Sequence, residues 1–212
     1  MANAPAASQA LTVLQLLARH TEPVPASAIA RDLGLPRSSV YHLLTVLCDH
    51  LVDATRHNAH LAVLHGRDVL YLIEERAPGR PPLVTDVGVR LPSQLTASGL
   101  AMLASLPPQQ VRALFPSRDS FVQRHGVGPT TLPSLRAELS RVRRDGFALE
   151  DGTVTPDFAS VAAPVLDPSG HPVAGIAVTY PATEVTAGQR QAIVEEVIRT
   201  ARDLTRRVRG RA

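Results

Sequence analysis

The sequence predicts an α+β fold in two parts: an all-helical segment over residues 1–50, then an antiparallel sheet with flanking helices over residues 51–212. Three observations support this prediction. The first segment places its aliphatic residues at helical spacing. Further along, two runs alternate apolar and other residues around the turn-forming clusters "HGRD" and "DPSGHP". Amphipathic helical patterns lie between these runs and after them.

The composition is that of a globular protein with an aliphatic core. Of the 212 residues, 44% are apolar but only 3% are aromatic. The single cysteine, Cys48, excludes an internal disulfide. No apolar run is long enough to span a bilayer, and "MANAPAASQA" lacks the pattern of a secretory leader, so we expect a cytoplasmic protein. The net charge of +3 mildly favours a polyanionic partner, although residues 1–50 are formally neutral.

Three helices are predicted in the first segment. "SQALTVLQLLARH" has helical spacing with Ser8 as a suitable N-cap, and the prolines of "TEPVP" end it. "ASAIARDLG" predicts a short helix that Gly34 ends, and "LPRSSVYHLLTVLCDH" predicts a helix that Pro36 opens.

The second and third of these helices have the spacing of a helix-turn-helix. Gly34 can adopt the positive φ of a tight turn, and Val40 and Leu43 then fall opposite Ile29 and Leu33. Such a unit can place its second helix in the major groove of DNA, whereas an ordinary three-helix packing unit is the alternative. The residues that point away from the apolar face and suit contacts with DNA are Arg37, Ser38, Ser39, Tyr41 and His42.

The second part begins with two strands around a turn at His65–Asp68. Helices follow in "LTASGLAMLASLP", "PPQQVRALF" and "LPSLRAELSRVRRDGF", the last ended by Gly146. "SVAAPVLDPSGHPVAGIAVTYP" predicts a hairpin, and residues 184–209 predict one long helix with Ile193, Val197, Ala201 and Leu204 on one face.

No catalytic or cofactor motif stands out in the second part, and we expect no cofactor. There is no glycine-rich phosphate loop, and the strand-turn spacing of His57, His60 and His65 does not converge on a metal. The small residues of "TASGL" lack the pattern of a nucleophilic serine. A helix N-terminus of this kind is better suited to holding a carboxylate through backbone N–H groups.

Three stretches make the chain resemble the IclR family of bacterial transcriptional regulators. They are "LPRSSVYHLLTVL", "VGVRLPSQLTASGLAMLASLP" and "RRDGFALEDGTVTPDFASVAAPVLDPSGHPVAGIAVTYPA". The resemblance implies a helix-turn-helix DNA-binding domain over residues 1–50, a GAF-like effector-binding domain over residues 51–212, and a homodimer or dimer of dimers that binds operator DNA.

The resemblance also implies a site for a small carboxylate-bearing effector. Carried over residue by residue, Ala97, Ser98 and Gly99 form the backbone cradle, and Glu150, Ser160 and Thr179 supply side chains. The chain departs from the family pattern at three nearby positions: Thr153 stands for the typical Glu, Asp157 for the usual Gly, and Ala177 for a residue that can be Ser.

One part of the family pattern is missing. "LVDATRHNAHLAVLHG" resembles the end of the first helix of the effector domain and the strand after it, yet it follows the recognition helix directly. The resemblance therefore implies that the wing and the linker helix, several tens of residues, are absent. Two interpretations remain open: a ligand-responsive DNA-binding regulator, or a sensing and oligomerisation module with impaired DNA binding.

Overall fold

The computed structural model describes residues 48–81 and 83–209, so the predicted helix-turn-helix and its DNA-contact residues lie outside the described part. Within it, the strands form one six-stranded antiparallel sheet in the order β3-β2-β1-β6-β5-β4. The strands are β1 (Asn58–His65), β2 (Asp68–Glu75), β3 (Arg90–Pro92), β4 (Ala148–Asp151), β5 (Phe158–Leu166) and β6 (Pro172–Pro181). The antiparallel sheet that was predicted for the second part is confirmed.

Helices flank this sheet on both faces, as the sequence predicts. A first helical segment covers residues 48–55, which we call α1. The others are α2 (Ala97–Ser105), α3 (Pro108–Leu114), α4 (Leu132–Asp145) and α5 (Ala187–Val208), with single 3-10 turns at Ser93–Leu95 and Arg118–Ser120. Among the described residues, no helix is both long and apolar enough to cross a membrane.

Both predicted hairpins are present, and local turn chemistry explains them. Strands β1 and β2 pair from Ala59↔Glu75 to His65↔Asp68, and Gly66 takes the positive φ of 61° that the two-residue turn requires. Between β5 and β6, the Asp167 carboxylate accepts the backbone N–H groups of Ser169 and His171 at 2.8 and 2.9 Å. Such side-chain acceptors stabilise a turn before the strand returns.

The two halves of the sheet meet at a seam between β1 and β6. The pairing runs from Asn58↔Thr179 to Ala62↔Gly175, so the first strand lies beside the last. Strands β2 and β3 extend the sheet on one side, and strands β5 and β4 extend it on the other. Every strand pair across this sheet is antiparallel.

The alternation of side chains along the central strands produces two cores. One face carries residues such as Val161, Ile176 and Val178, which pack against α5. The other face carries Ala162 and Ala177, which pack against α2 and α4. The predicted apolar face of the last helix is confirmed, since its four residues are all buried: Ile193, Val197, Ala201 and Leu204.

The helix ends follow their capping residues. Thr131 and Ser134 form a capping box at the start of α4, and Gly146 ends that helix with a φ of 81°, as predicted. The last helix begins at Ala187 rather than at the predicted residue 184. Thr186 caps it, because its backbone N–H donates to the Gln189 amide oxygen and its hydroxyl accepts from the Gln189 N–H.

Segment α1 belongs to the same core as the sheet. Cys48, Leu51 and Val52 are buried in the α5 face of the molecule. The helix ends at Arg56, whose positive φ of 60° lets its N–H donate to the carbonyl of Val52 at 2.8 Å. The predicted domain boundary between residues 50 and 51 therefore falls inside a helical segment that packs against the sheet and α5.

Candidate effector-binding site

Three of the predicted site residues form a row across the sheet. Glu150 on β4 pairs with Ser160 on β5, and Ser160 pairs with Thr179 on β6. Cα partners in adjacent strands project to the same face, so the three side chains lie side by side. The hydroxyl oxygens of Ser160 and Thr179 are 2.9 Å apart. The structure thus brings this group together as the resemblance implied.

The N-terminus of α2 forms the opposite wall. Thr96 caps the helix, since its hydroxyl accepts the N–H of Gly99 at 3.0 Å. Ala97 and Ser98 line the cavity between helix and sheet, and both are buried. The backbone N–H groups of Ala97 and Ser98 have no carbonyl of a preceding helical turn to accept them. These two N–H groups are therefore the donors that the start of α2 offers to a ligand.

Gly99 has a different place from the one that the resemblance implied. Its N–H is already bound to Thr96, and it does not line the cavity. A Cβ atom at this position would lie 2.1 Å from the carbonyl oxygen of Ser93. Gly99 therefore allows the 3-10 turn before α2 to pack directly on the helix.

Glu150 is the acidic group of the site, and it is almost fully buried. Its Oε1 accepts the backbone N–H groups of Thr153 and Val154 at 2.7 and 3.0 Å and lies 2.7 Å from the Thr153 hydroxyl. Burial raises the pKa of Glu150, although these bonds and the Ser160 hydroxyl lower it in part. The three short contacts all end on the same oxygen, Oε1.

The cavity contains about 380 Å³ of space that atoms do not fill, part of it open to solvent. The walls come from five strands, from two connecting loops and from the start of α2. They are lined by His60, Tyr71, Leu83, Thr85, Thr96, Ala97, Ser98, Glu150, Val154, Thr155, Phe158, Ser160, Ala177 and Thr179.

Sequence reasoning missed five polar residues of this cavity: His60, Tyr71, Thr85, Thr96 and Thr155. His60 is fully buried, and burial together with the nearby charge of Arg76 lowers its pKa to about 3, so its imidazole is neutral. Burial raises the pKa of Tyr71, with a further rise from Glu150. The signal that could have identified His60 is its position as a single histidine within the apolar pattern of β1.

Several polar atoms in the cavity wall have no hydrogen-bond partner. They are both ring nitrogens of His60, Oγ1 of Thr85 and Oγ of Ser98. Ser98 lies near enough to the Tyr71 hydroxyl to lower its pKa, but its Oγ does not reach the geometry of a hydrogen bond. Buried polar groups are nearly always paired in native proteins, so this cluster indicates a place for a polar ligand.

His57, which precedes β1, and His60 on β1 do not share a site. His57 contacts the ring of Tyr180 with centroids 5.8 Å apart, whereas His60 contacts the ring of Tyr71 at 5.9 Å. Among residues 48–81 and 83–209, no group of three His, Cys, Asp or Glu side chains is placed to hold a metal ion.

Two arginines of α5 are paired with acidic residues of the same helix. Arg199 binds Glu196 and Arg206 binds Asp203, each at a spacing of three residues. His50 of α1 also lies 2.9 Å from Glu196 and 2.9 Å from Arg199. The basic C-terminal helix is therefore partly neutralised and in contact with α1.

Comparisons with known proteins identify relatives of the whole chain. The family described as bacterial transcriptional regulator IclR C-terminal matches residues 34–206, and the IclR helix-turn-helix domain matches residues 6–50. The HTH-type transcriptional regulator BhcR of Paracoccus denitrificans is 28% identical over 170 residues, which are 80% of this chain and 60% of BhcR. This chain therefore spans less than two thirds of the length of BhcR.

Two further relatives align over nearly the full length. RhmR of Escherichia coli, an HTH-type transcriptional regulator, is 24% identical over 245 positions, covering 95% of this chain and 92% of RhmR. The crystal structure of the Agobacterium tumefaciens repressor BlcR has a TM-score of 0.68 and 25% identity, covering 97% of this chain and 98% of that one. The alignment with RhmR is longer than the 212-residue chain, so RhmR has several tens of residues that this chain lacks.

Proposed function

Since the chain belongs to the IclR family of bacterial transcriptional regulators, we propose that it is a regulator whose binding to operator DNA responds to a small effector. The observation that carries the effector part is the set of buried polar groups without partners around one cavity. The predicted contact residues are Ala97, Ser98, Glu150, Ser160 and Thr179, with Gly99 supporting the helix start.

The DNA part of the proposal depends on residues 1–50. Polar residues of the predicted recognition helix contact the operator, while the protein acts in the cytoplasm as a homodimer or a dimer of dimers. Phosphate and base contacts come from Arg37, Ser38, Ser39, Tyr41 and His42.

The effector acts through β1 and α1. His60 lines the cavity and belongs to β1, and α1 is joined to β1 by Arg56 and His57. α1 also contacts α5 through His50. A ligand that binds more tightly to one arrangement of these elements than to another increases the population of the arrangement that it prefers. The affinity for DNA then changes with that population.

A second function is a sensing and oligomerisation module with impaired DNA binding. Its support is the length difference from RhmR and the overlap of the two family matches over residues 34–50. The two matched regions therefore leave no residues between them that could form a wing and a linker helix. Fewer phosphate contacts weaken binding to DNA and flatten its dependence on salt.

Fluorescence anisotropy with DNA from the region upstream of the gene distinguishes these functions. Random DNA of equal length is the control, and both are titrated at several salt concentrations. The regulator function predicts tighter binding to the upstream DNA, which Arg37→Ala weakens while lowering the salt slope by about one. Arg112→Ala is a matched control, because Arg112 is an exposed arginine of α3. Equal and weak binding to both DNAs contradicts the regulator function and supports the sensing module.

A further inference from the structure

The unpartnered groups of the cavity share one chemical property. Ser98, Thr85 and His60 are 1%, 7% and 1% exposed, and their polar atoms have no partner among the described residues. A serine or threonine hydroxyl both donates and accepts a hydrogen bond, and a neutral imidazole has one donor and one acceptor. The ligand groups that match such a wall best are hydroxyls, because they also donate and accept.

Glu150 is the one acidic side chain among the described residues that line the cavity. Thr153 places its hydroxyl 2.7 Å from both the Glu150 carboxyl and the carbonyl of Leu95, two residues before α2. The positive end of the α2 dipole therefore already has an anionic group beside it. A ligand carboxylate at this helix start would be placed near Glu150 in a buried site, where like charges repel strongly.

No cation in the described cavity wall offsets that charge. None of its lining residues is arginine, and the chain contains no lysine. The arginine whose charge reaches His60 is Arg76, and its guanidinium binds Glu74 and lies 3.5 Å from Asp86. An anionic effector would therefore enter without a counter-charge, which is costly in a buried site.

We propose that the effector is a small uncharged molecule with several hydroxyl groups, at least one of which donates to the Glu150 carboxylate. The inference rests on the effector-sensing function proposed above and differs from the carboxylate-bearing ligand that the family resemblance implied. Ser98, Thr85 and His60 hydrogen-bond the remaining hydroxyls. Short polyols and single sugar rings are ligands with this chemistry.

Calorimetry with matched pairs of probes tests this inference on the full 212-residue chain. Each pair has one carbon skeleton, as a polyol or sugar and as its acid: glycerol and glycerate, xylitol and xylonate, glucose and gluconate. We expect at least one uncharged probe to bind at millimolar concentration or below and to bind more tightly than its acid. Glu150→Gln should lower the affinity for that probe about tenfold, the effect of losing a hydrogen bond to a charged group. The ratio between the affinity for the uncharged probe and the affinity for its acid should also fall.

Glu195→Gln is the matched control, because Glu195 is an exposed glutamate of α5 that binds only Gln191. Ser98→Ala provides an independent variant if Glu150→Gln fails to fold, and we expect a loss of several-fold in affinity for the same probe. Circular dichroism checks the fold of each variant.

Two results would overturn the inference: an acid that binds the natural chain at least as tightly as its uncharged partner, or no uncharged probe that binds. The measurement needs no DNA. A chain that binds a polyol but not its upstream DNA contradicts the regulator function and leaves this inference standing. A chain that prefers its upstream DNA but binds only acids supports the regulator function and overturns this inference.

Discussion

The hydroxyl of Thr153 lies 2.7 Å from Oε1 of Glu150, and the backbone N–H of Thr153 donates to the same oxygen at 2.7 Å. The same hydroxyl donates to the carbonyl of Leu95 at 2.7 Å. One threonine thus connects the acidic group of β4 to the turn before α2. The threonine that replaces the family's typical glutamate has a clear structural role here.

Thr153→Val removes this hydroxyl while keeping the size of the side chain. We expect the free energy of unfolding to fall by about 1–2 kcal/mol, because the single hydroxyl hydrogen shared between a buried carboxyl and a carbonyl is lost. Chemical denaturation measures the change. Thr130→Val is the control, since Thr130 is exposed in the loop before α4. Equal stability of the two variants would contradict the connecting role.

Gly99→Ala should be strongly destabilising. The new Cβ would lie 2.1 Å from the Ser93 carbonyl oxygen, and the contact is with backbone that cannot move freely. We expect a loss of more than about 3 kcal/mol, at the upper end of overpacking costs. Gly188→Ala in α5 is the control, because nothing lies within 4 Å of its Cβ position. That control should be neutral or more stable by up to about 1 kcal/mol.

His60 should make the protein less stable in acid. Its folded pKa is lowered to about 3 from 6.5, so between these values the unfolded chain binds a proton that the folded protein does not. Stability from this group is therefore fully present above pH 6.5 and is lost as the pH falls toward 3, by about 1.4 kcal/mol per pH unit.

His60→Asn should flatten the fall in stability between neutral pH and the lower end of this range. Denaturant titrations at several pH values measure it. Ser98→Ala changes the same cavity without removing a titratable group, so it should keep the slope of the natural protein. A slope that is identical in all three proteins would exclude His60 as its source.

Asp157 has a positive φ of 66°, in the left-handed region that favours glycine. Asp157→Val should cost about 1–2 kcal/mol, because a β-branched residue is strained there. Asp151→Val on β4 is a matched control: Asp151 is exposed and extended, where valine is well tolerated. Thermal unfolding of both variants should show a lowered Tm only for the first.

Local signals in the sequence predicted most of the sheet. The turn at Gly66, the Asp167 turn and the Gly146 helix end each depend on one or two residues with special backbone chemistry, and all three are confirmed. Strands β3 and β4 were not predicted, because three or four residues are too few for an alternating pattern to appear. These two strands form because β3 pairs with β2 and β4 pairs with β5.

The cavity could be predicted only in part. Glu150, Ser160 and Thr179 came from the family resemblance, and the register of three strands explains why they meet. Thr85 lies in the connection between β2 and β3. The path of this connection depends on Asn58, whose Oδ1 accepts the N–H of Ala77 and whose Nδ2 donates to the carbonyl of Pro81. Such long-range bonds leave no local pattern in the sequence.

The seam between β1 and β6 has a consequence for how the chain is made. β1 emerges early from the ribosome, but its partner on this side is the last strand, which is synthesised after nearly the whole domain. Pairing of residues so distant in sequence is slow to form. Until then, the edge of β1 that later pairs with β6 is unpaired, and the apolar residues Ala59 and Leu61 on this strand are exposed. The nascent chain therefore depends on protection from aggregation during translation.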